Sequence, residues 1–296
     1  MNFNFMIYVS ACLLPLAAMA QEKSLGVVTV TSGQPTSLPT QIPTTMEGIT
    51  KEQIEKSINA TDSEDALRYF PSLLVRKRYI GDYNHAVLSS RASGTGNSAR
   101  SAVYADGILL SNYLGNGATY APRWGMVTPE EIERVDVMYG PFSAAYPGNS
   151  VGAIVDYVTR MPQTFQAHVQ LGGSVQDFNT YQTNRDFAAS QGSVSVGGRS
   201  GDWSWWLNGS HLNSQGQPMV FAWKARSIAG AATDVTGGVD VPGTENQAGR
   251  VLGTSTQFHT VQDHGKLKLA CDVSPTMRAS YILGVWQNDS RARADT

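Results

Sequence analysis

Two short stretches carry residue types at spacings that enzymes use. Gly148-Asn149-Ser150-Val151-Gly152 fits G-x-S-x-G, the strand-to-helix elbow that exposes a nucleophilic serine. That chemistry needs a helix after the serine, and a His with an Asp or Glu to take the proton. Here residues 154–159 are strand-forming, and none of the five His stands in a partner pattern. Gly94-Thr95-Gly96-Asn97-Ser98-Ala99 fits G-x-G-x-x-A, but a dinucleotide site needs a surrounding βαβ unit of ~30 residues. An apical loop is the expectation instead. Cys12 and Cys271 are the only cysteines, and Cys12 falls in an apolar leader. A disulfide framework and a thiolate metal cluster are both excluded. No catalytic group, resident metal or cofactor is expected.

Binding chemistry is better represented. Tyr83 and His85 lie in residues 81–85, and Tyr113, Tyr120, Arg123 and Trp124 in residues 111–125. Both stretches are rich in Gly and Asn, as loops are. Rings beside a guanidinium suit an anionic or aromatic ligand. The alternative is that these rings only pack against a surrounding wall.

The elements that would position these loops are short. Thr50-Lys51-Glu52-Gln53 and Thr61-Asp62-Ser63-Glu64 match the box in which side chains at both ends cap a helix start. Pro71 ends the second helix, and Thr128-Pro129-Glu130-Glu131 opens a third helical turn. Strand-like runs lie at 73–79, 86–90, 101–105 and 108–110, the last two joined by Asp106-Gly107, a hairpin signal. Residues 46–161 therefore read as a small α+β domain.

The grammar changes at Pro162. Residues 165–173, 192–198, 203–211, 258–271 and 277–287 alternate with period two. Tight turns at 199–202 and 272–276 alternate with long loops at 174–190 and 213–254, as in bacterial outer-membrane barrels. A soluble β-sandwich would alternate too. Residues 1–20 carry no charge and end in Ala18-Met19-Ala20, an A-x-A-like cleavage site. Residues 25–32 are β-prone and precede a Pro/Thr/Gln linker reaching residue 45. Net charge is near balance, 22 basic against 24 acidic, so no nucleic acid or other polyanion partner is implied.

One stretch ties these parts together. It runs from Ile132-Glu133-Arg134-Val135-Asp136-Val137-Met138-Tyr139-Gly140-Pro141 through Ser143-Ala144-Ala145-Tyr146 to Gly152-Ala153-Ile154-Val155-Asp156-Tyr157-Val158-Thr159-Arg160. It resembles the signature that closes the plug domain of TonB-dependent outer-membrane receptors. Ser89-Ser90-Arg91-Ala92 is similar to the plug's Ile-Arg-Gly element, with Ala92 in place of Gly. Residues 100–107 resemble the next element, where Asp and Gly turn the chain. Val27, Val28, Thr29, Val30 and Thr31 resemble a TonB box, the strand-forming peptide offered to the inner-membrane energy-coupling protein; an ordinary first strand of the plug is the other reading.

The resemblance implies four parts: a signal peptide (1–20), a TonB-box segment and linker (21–45), a plug (46–161), and the first ~5 antiparallel strands of a transmembrane β-barrel (162–296). A plugged transporter barrel needs ~22 strands, so the chain reads as a truncated part of a longer receptor. Trp203 and Trp286 are expected near the lipid interfaces. Arg91, Arg100, Glu133, Arg134 and Arg160 are candidates for plug–barrel contacts, on the view that a plug in a polar lumen is held by ion pairs. Ligand contacts are expected from Arg91 together with Tyr83, His85, Tyr113, Tyr120, Arg123 and Trp124. The implied function is TonB-driven uptake of a scarce nutrient, a ferric siderophore foremost, with cobalamin, a copper complex or a glycan as alternatives. The reading of a different class is a non-transporting, plug-like interaction module.

Overall fold

The computed structural model describes residues 5–10, 36–39, 42, 44–94, 100–115, 120–140, 146–148, 150–225 and 237–295. β1 (Phe5–Ser10) belongs to the second sheet below. β2 (Met46–Thr50) leads into α1 (Lys51–Ser57). There the Thr50 amide donates to Gln53 Oε1 at 2.9 Å, one half of the expected box. The next helix is a single 3-10 turn, Ser63–Leu67, capped one residue later than the sequence suggests, by Asp62. The Thr61 and Asp62 amides both donate to Asp65 Oδ2, at 2.9 and 3.2 Å.

β3 (Leu73–Val75) pairs with β4 (Leu88–Ser90), and β5 (Ala102–Ala105) with β6 (Ile108–Leu109). The turn between β5 and β6 holds Asp106 and Gly107 at φ 49° and 79°, the left-handed conformation that selects Asp-Gly in two-residue hairpins. A 3-10 turn at Pro129–Glu131 opens β7 (Ile132–Tyr139), and β8 (Ala153–Thr159) ends the domain. The sheet order is β2-β7-β8-β5-β6. On one face Ile54, Leu67, Phe70, Trp124, Val135 and Tyr157 form the core. Fully burying such side chains is worth about 1.5–3 kcal/mol each.

β9 (Gln166–Thr180), β10 (Thr183–Ser200), β11 (Trp203–Gln215), β12 (Val220–Ala225), β13 (Val239–Asp240), β14 (Gly249–Ser274) and β15 (Met277–Asp295) follow. The path β9-β10-β11-β14-β15 is antiparallel throughout, with β12 and β13 on β14. These are the five long strands expected, but longer. Residues 174–190 are not a loop: they are the far halves of β9 and β10, joined at Tyr181 and Gln182, with φ 50° and 66°. Residues 213–254 likewise contain the end of β11, all of β12 and β13, and the start of β14.

β1 pairs with the outer edge of β9, from Phe5↔Val175 to Ser10↔Gln170. An unpaired edge offers N–H and C=O groups to any extended segment. Part of the apolar run expected as an export signal takes that place.

The two ends of the sheet are distinct. Arg199 donates to Gln163 Oε1 at 3.1 Å and to Asp272 Oδ2 at 2.7 Å. The short turns therefore lie where the first domain hands over, as the alternation predicted. At the other end Phe221 stacks on Phe178 at 6.4 Å and meets Tyr181 edge-on at 4.8 Å.

The two faces differ as well. Val169, Leu171, Val175, Val194, Trp203, Leu207, Tyr281, Leu283 and Val285 face away from the α+β domain, 37–62% exposed. Ser193, Ser195, Asn208, Thr260, His264, Lys266 and Lys268 are buried beneath it. Gly197 belongs to the inner face because a Cβ there would meet Trp206 at 2.5 Å and Pro162 at 3.0 Å. Trp286 corrects one expectation: it sits on the inner face, its ring 4.9 Å from Tyr83, and leaves Trp203 as the outward tryptophan of the pair.

Candidate functional site

From Thr260 to Lys268 the inner face of β14 offers a polar side chain at every second position, and the α+β domain is seated on that row. Lys268 Nζ donates to Asp106 Oδ2 at 2.9 Å, Thr159 O at 3.1 Å and Thr159 Oγ1 at 2.6 Å. Lys266 Nζ donates to Glu131 Oε1 at 2.8 Å. Gln262 donates to Gly81 O at 3.0 Å, and Tyr79 and Thr260 hydroxyls lie 3.5 Å apart. From β11, Asn208 donates to Thr128 Oγ1 at 2.6 Å. Glu131 reaches Lys266 because the one-turn helix at 129–131 carries it onto the sheet side, while its carboxylate also accepts from the Thr128 amide at 2.8 Å.

Each neutral hydrogen bond in such a seam contributes a net ~0.5–1.5 kcal/mol, and each one made by a lysine ammonium about 1.5–3 kcal/mol, because water replaces it when it opens. The arrangement fixes the domain's position on the sheet. The Lys266–Glu131 pair is fully enclosed, 5% and 0% exposed. Its attraction is offset by desolvation, so it specifies the seat more than it stabilises it.

Beside this pair lies a cavity of about 60 Å³, room for about four waters. Asp62, Glu64 and Glu130 of the α+β domain face Gln191, Gln262 and His264 of the sheet across it. Lys77 pairs with Asp62 and Asp65 at 2.8 and 2.7 Å and stands 4.0 Å from Glu64. Burial, then the Asp62 carboxylate, pushes the Glu64 carboxyl well above its ordinary range. Burial raises Glu130 too. Burial is the largest single influence on Asp65 and would raise it, but the Lys77 ammonium and the hydrogen bonds from Lys77 and Thr61 together hold it below its ordinary range.

These shifts act in opposite directions on stability. A carboxyl raised by folding is compatible with the fold below the ordinary carboxylate range, and destabilises it as pH climbs through the raised value. Asp65 contributes stability that is lost only as pH falls through its lowered value. Glu64→Gln is therefore expected to flatten the decline in stability as pH rises above the ordinary carboxylate range, read as the denaturant midpoint at successive pH values. An unchanged slope would mean that Glu64 is ionised in the folded protein.

Among the residues read as ligand-facing, the structure gathers Tyr83, His85 and Arg123 toward the loop end. Arg123 Nη1 donates to the Tyr83 hydroxyl at 2.8 Å, with its guanidinium 5.7 Å from the ring centroid. His85 lies 2.8 Å from Asp82 Oδ1 and edge-on to Phe258 at 5.9 Å, and Tyr79 stacks on Phe258 at 6.0 Å. Trp286 completes the group through Tyr83, and it fits because position 125 is Gly, where a Cβ would sit 2.2 Å from the indole. Tyr79, Phe258 and Trp286 were not foreseen; strand parity on β14 and β15 was the signal for the last two.

The others stand apart. Trp124 is core, 3% exposed, its indole donating to Ala86 O at 2.7 Å. Tyr113 packs on a separate cluster with Met138 and Ile154. Tyr120 lies over Gly115, and Arg91 is exposed beside β4. Val27, Val28, Thr29, Val30 and Thr31 lie outside the described residues.

The charged residues proposed for the seam find their ion-pair partners inside the α+β domain. Arg134 pairs with Asp136 at 2.9 Å, Glu133 with Lys51 at 3.8 Å and Arg160 with Glu55 at 2.9 Å. Arg91 and Arg100 are exposed. On the described wall the ion pairs across the seam take their carboxylates from the domain, Glu131 and Asp106, and their ammonium groups from the sheet, Lys266 and Lys268. Ser150, the serine of the G-x-S-x-G stretch, donates to Pro147 O at 2.8 Å and precedes a strand instead of a helix. Among the described residues no group of three or more His, Cys, Asp or Glu is placed to hold a metal ion.

Residues 39–154 match the family model described as TonB-dependent Receptor Plug Domain. No match is found among curated protein sequences. Among solved structures, the chain is similar to a mutant ferric enterobactin receptor (PfeA) of Pseudomonas aeruginosa in complex with enterobactin. The two share 15% identity and a TM-score of 0.56 over 83% of this chain and 33% of that one. The ferric yersiniabactin uptake receptor (FyuA) of Yersinia pestis gives 13% identity and a TM-score of 0.52, over 86% of this chain and 42% of that one. At these identities the likeness is one of fold, and the chain spans about a third of the length of the enterobactin receptor. The chain thus carries a TonB-dependent receptor plug domain, seated against antiparallel strands of the kind that open the receptors' barrel.

Proposed function

We propose that the chain is the plug and early-barrel part of an outer-membrane receptor that imports a ferric siderophore under the pull of TonB. The observation that carries this reading is the seam: a folded plug held by polar contacts to the inner face of a sheet whose outer face is apolar. Such a wall suits lipid outside and a hydrated lumen inside. Ligand arriving from the loop end meets Arg123, Tyr83 and His85 first, and aromatic and cationic groups there suit an anionic, aromatic chelate. Residues 27–31 then present occupancy to TonB, and tension remodels the plug so that the chelate passes. No bond is made or broken, and the metal is cargo. Export through residues 1–20 would free the edge of β9 for a further barrel strand.

Growth on single iron sources after deletion of the full-length gene tests the substrate class. Loss of growth on one ferric siderophore supports the reading, and loss only of cobalamin, copper-complex or glycan use would overturn it. In the complete detergent-solubilised receptor, Arg123→Ala is expected to weaken chelate binding about tenfold, as loss of one charge-assisted contact should. Affinity unchanged by that substitution would remove Arg123 from the site.

A further inference from the structure

Residues 36–39 lie against the plug sheet, on the face opposite the main core. Leu38 is 5% exposed and sits among Ala102, Met138 and Ile154. The Ser37 amide and hydroxyl both donate to Asp136 Oδ2, at 2.8 and 2.9 Å. Thr36 Oγ1 accepts from the Leu38 amide at 3.1 Å and closes a tight turn. Asp136 on β7 stands directly opposite Asp156 on β8, and both are buried, 4% and 8% exposed. Like charges facing each other across a strand pair repel. Arg134 and Ser37 supply the donors that make this pair tolerable, and Ser37 comes from outside the sheet.

We propose that Ser37 and Leu38 form a latch that clips the N-terminal coupling segment to the plug at rest and must open before tension reaches β2. The proposal rests on residues 27–31 being the coupling segment. A pull from there arrives at Ser37 before it arrives at Met46, where β2 begins. With the latch closed, load enters the plug sheet through Asp136 on β7. With it open, load passes through Thr44 and Thr45, which bond Tyr139 on β7, and then falls on β2, an edge strand paired with β7. The latch therefore sets both a threshold and an order: linker first, edge strand second, seam last.

Single-molecule pulling on the complete receptor in lipid, through a handle at the N-terminus, tests this without TonB. The native protein is expected to show an early, low-force event that releases the chain from residue 37 up to the Thr44–Tyr139 contact, roughly 25 Å of extended chain, before the plug events. Ser37→Ala with Leu38→Ala should abolish that event and leave the later ones in place. An early event that persists in the double variant, or all events shifting together, would overturn the latch. Amide exchange gives an independent reading: in Leu38→Ala alone, the Ser37 amide should exchange at least about tenfold faster, and unchanged protection would also overturn it. Because the instrument supplies the force, failure here leaves the assignment of residues 27–31 untouched.

Discussion

Deleting residues 27–31 from the complete receptor is expected to abolish energised uptake while leaving ligand binding nearly unchanged. Val27, Val28, Thr29, Val30 and Thr31 form a β-prone run followed by a Pro/Thr/Gln linker. A run too short to bury itself is available to add a strand to another protein's sheet edge. The proposed ligand group of Arg123, Tyr83 and His85 lies toward the loop end, at contacts the deletion does not touch. Uptake and surface binding of a labelled ferric chelate, in cells with and without a proton-motive force, separate the two effects. Equal loss of both would show that the segment is a structural strand.

The second large effect is expected at the seam. Lys266→Ala leaves the Glu131 carboxylate enclosed without its cation, and breaking one side of a buried pair costs about 3–5 kcal/mol. The plug should loosen in its seat, seen as faster amide exchange around 128–131 and as leakage of solutes that the intact receptor excludes. Replacing both partners with neutral groups, Lys266→Met with Glu131→Gln, should be milder than the single change. Glu133→Ala is the control, since its pair with Lys51 is half-exposed and lies within the plug; such pairs contribute about 0–1 kcal/mol. Equal effects from Lys266→Ala and Glu133→Ala would refute the seam as the holding contact.

What the sequence revealed was local. Asp106-Gly107 fixes a hairpin by its own backbone preferences, and Thr128-Pro129-Glu130-Glu131 writes its helical turn in four residues. The hairpin at Tyr181-Gln182 was missed because neither residue carries turn chemistry, and strand pairing on both sides holds them at positive φ. β2 was missed because five residues with a Gly show no period; its partner β7 makes it a strand. The seam was least legible of all. Glu131 and Lys266 stand 135 residues apart, and Glu131 announced itself only as a helix cap. Glu133 and Arg134 drew attention by their place in a signature, yet their partners proved to be near neighbours. Trp124 and Trp286 show the same limit: loop and strand positions were visible, but the side each ring faces depends on register with elements far along the chain.

The most direct test of the central claim is a spin-label scan along β15 in the complete receptor in outer-membrane lipid. Collision rates with oxygen, which partitions into lipid, and with a water-soluble nickel chelate report each label's surroundings. Labels at Tyr281, Leu283 and Val285 should be oxygen-accessible, and labels at Ile282, Gly284 and Trp286 shielded by the plug, with a period of two. Water accessibility at every position, or shielding of both faces as in a packed sandwich, would contradict a plug seated inside a membrane barrel.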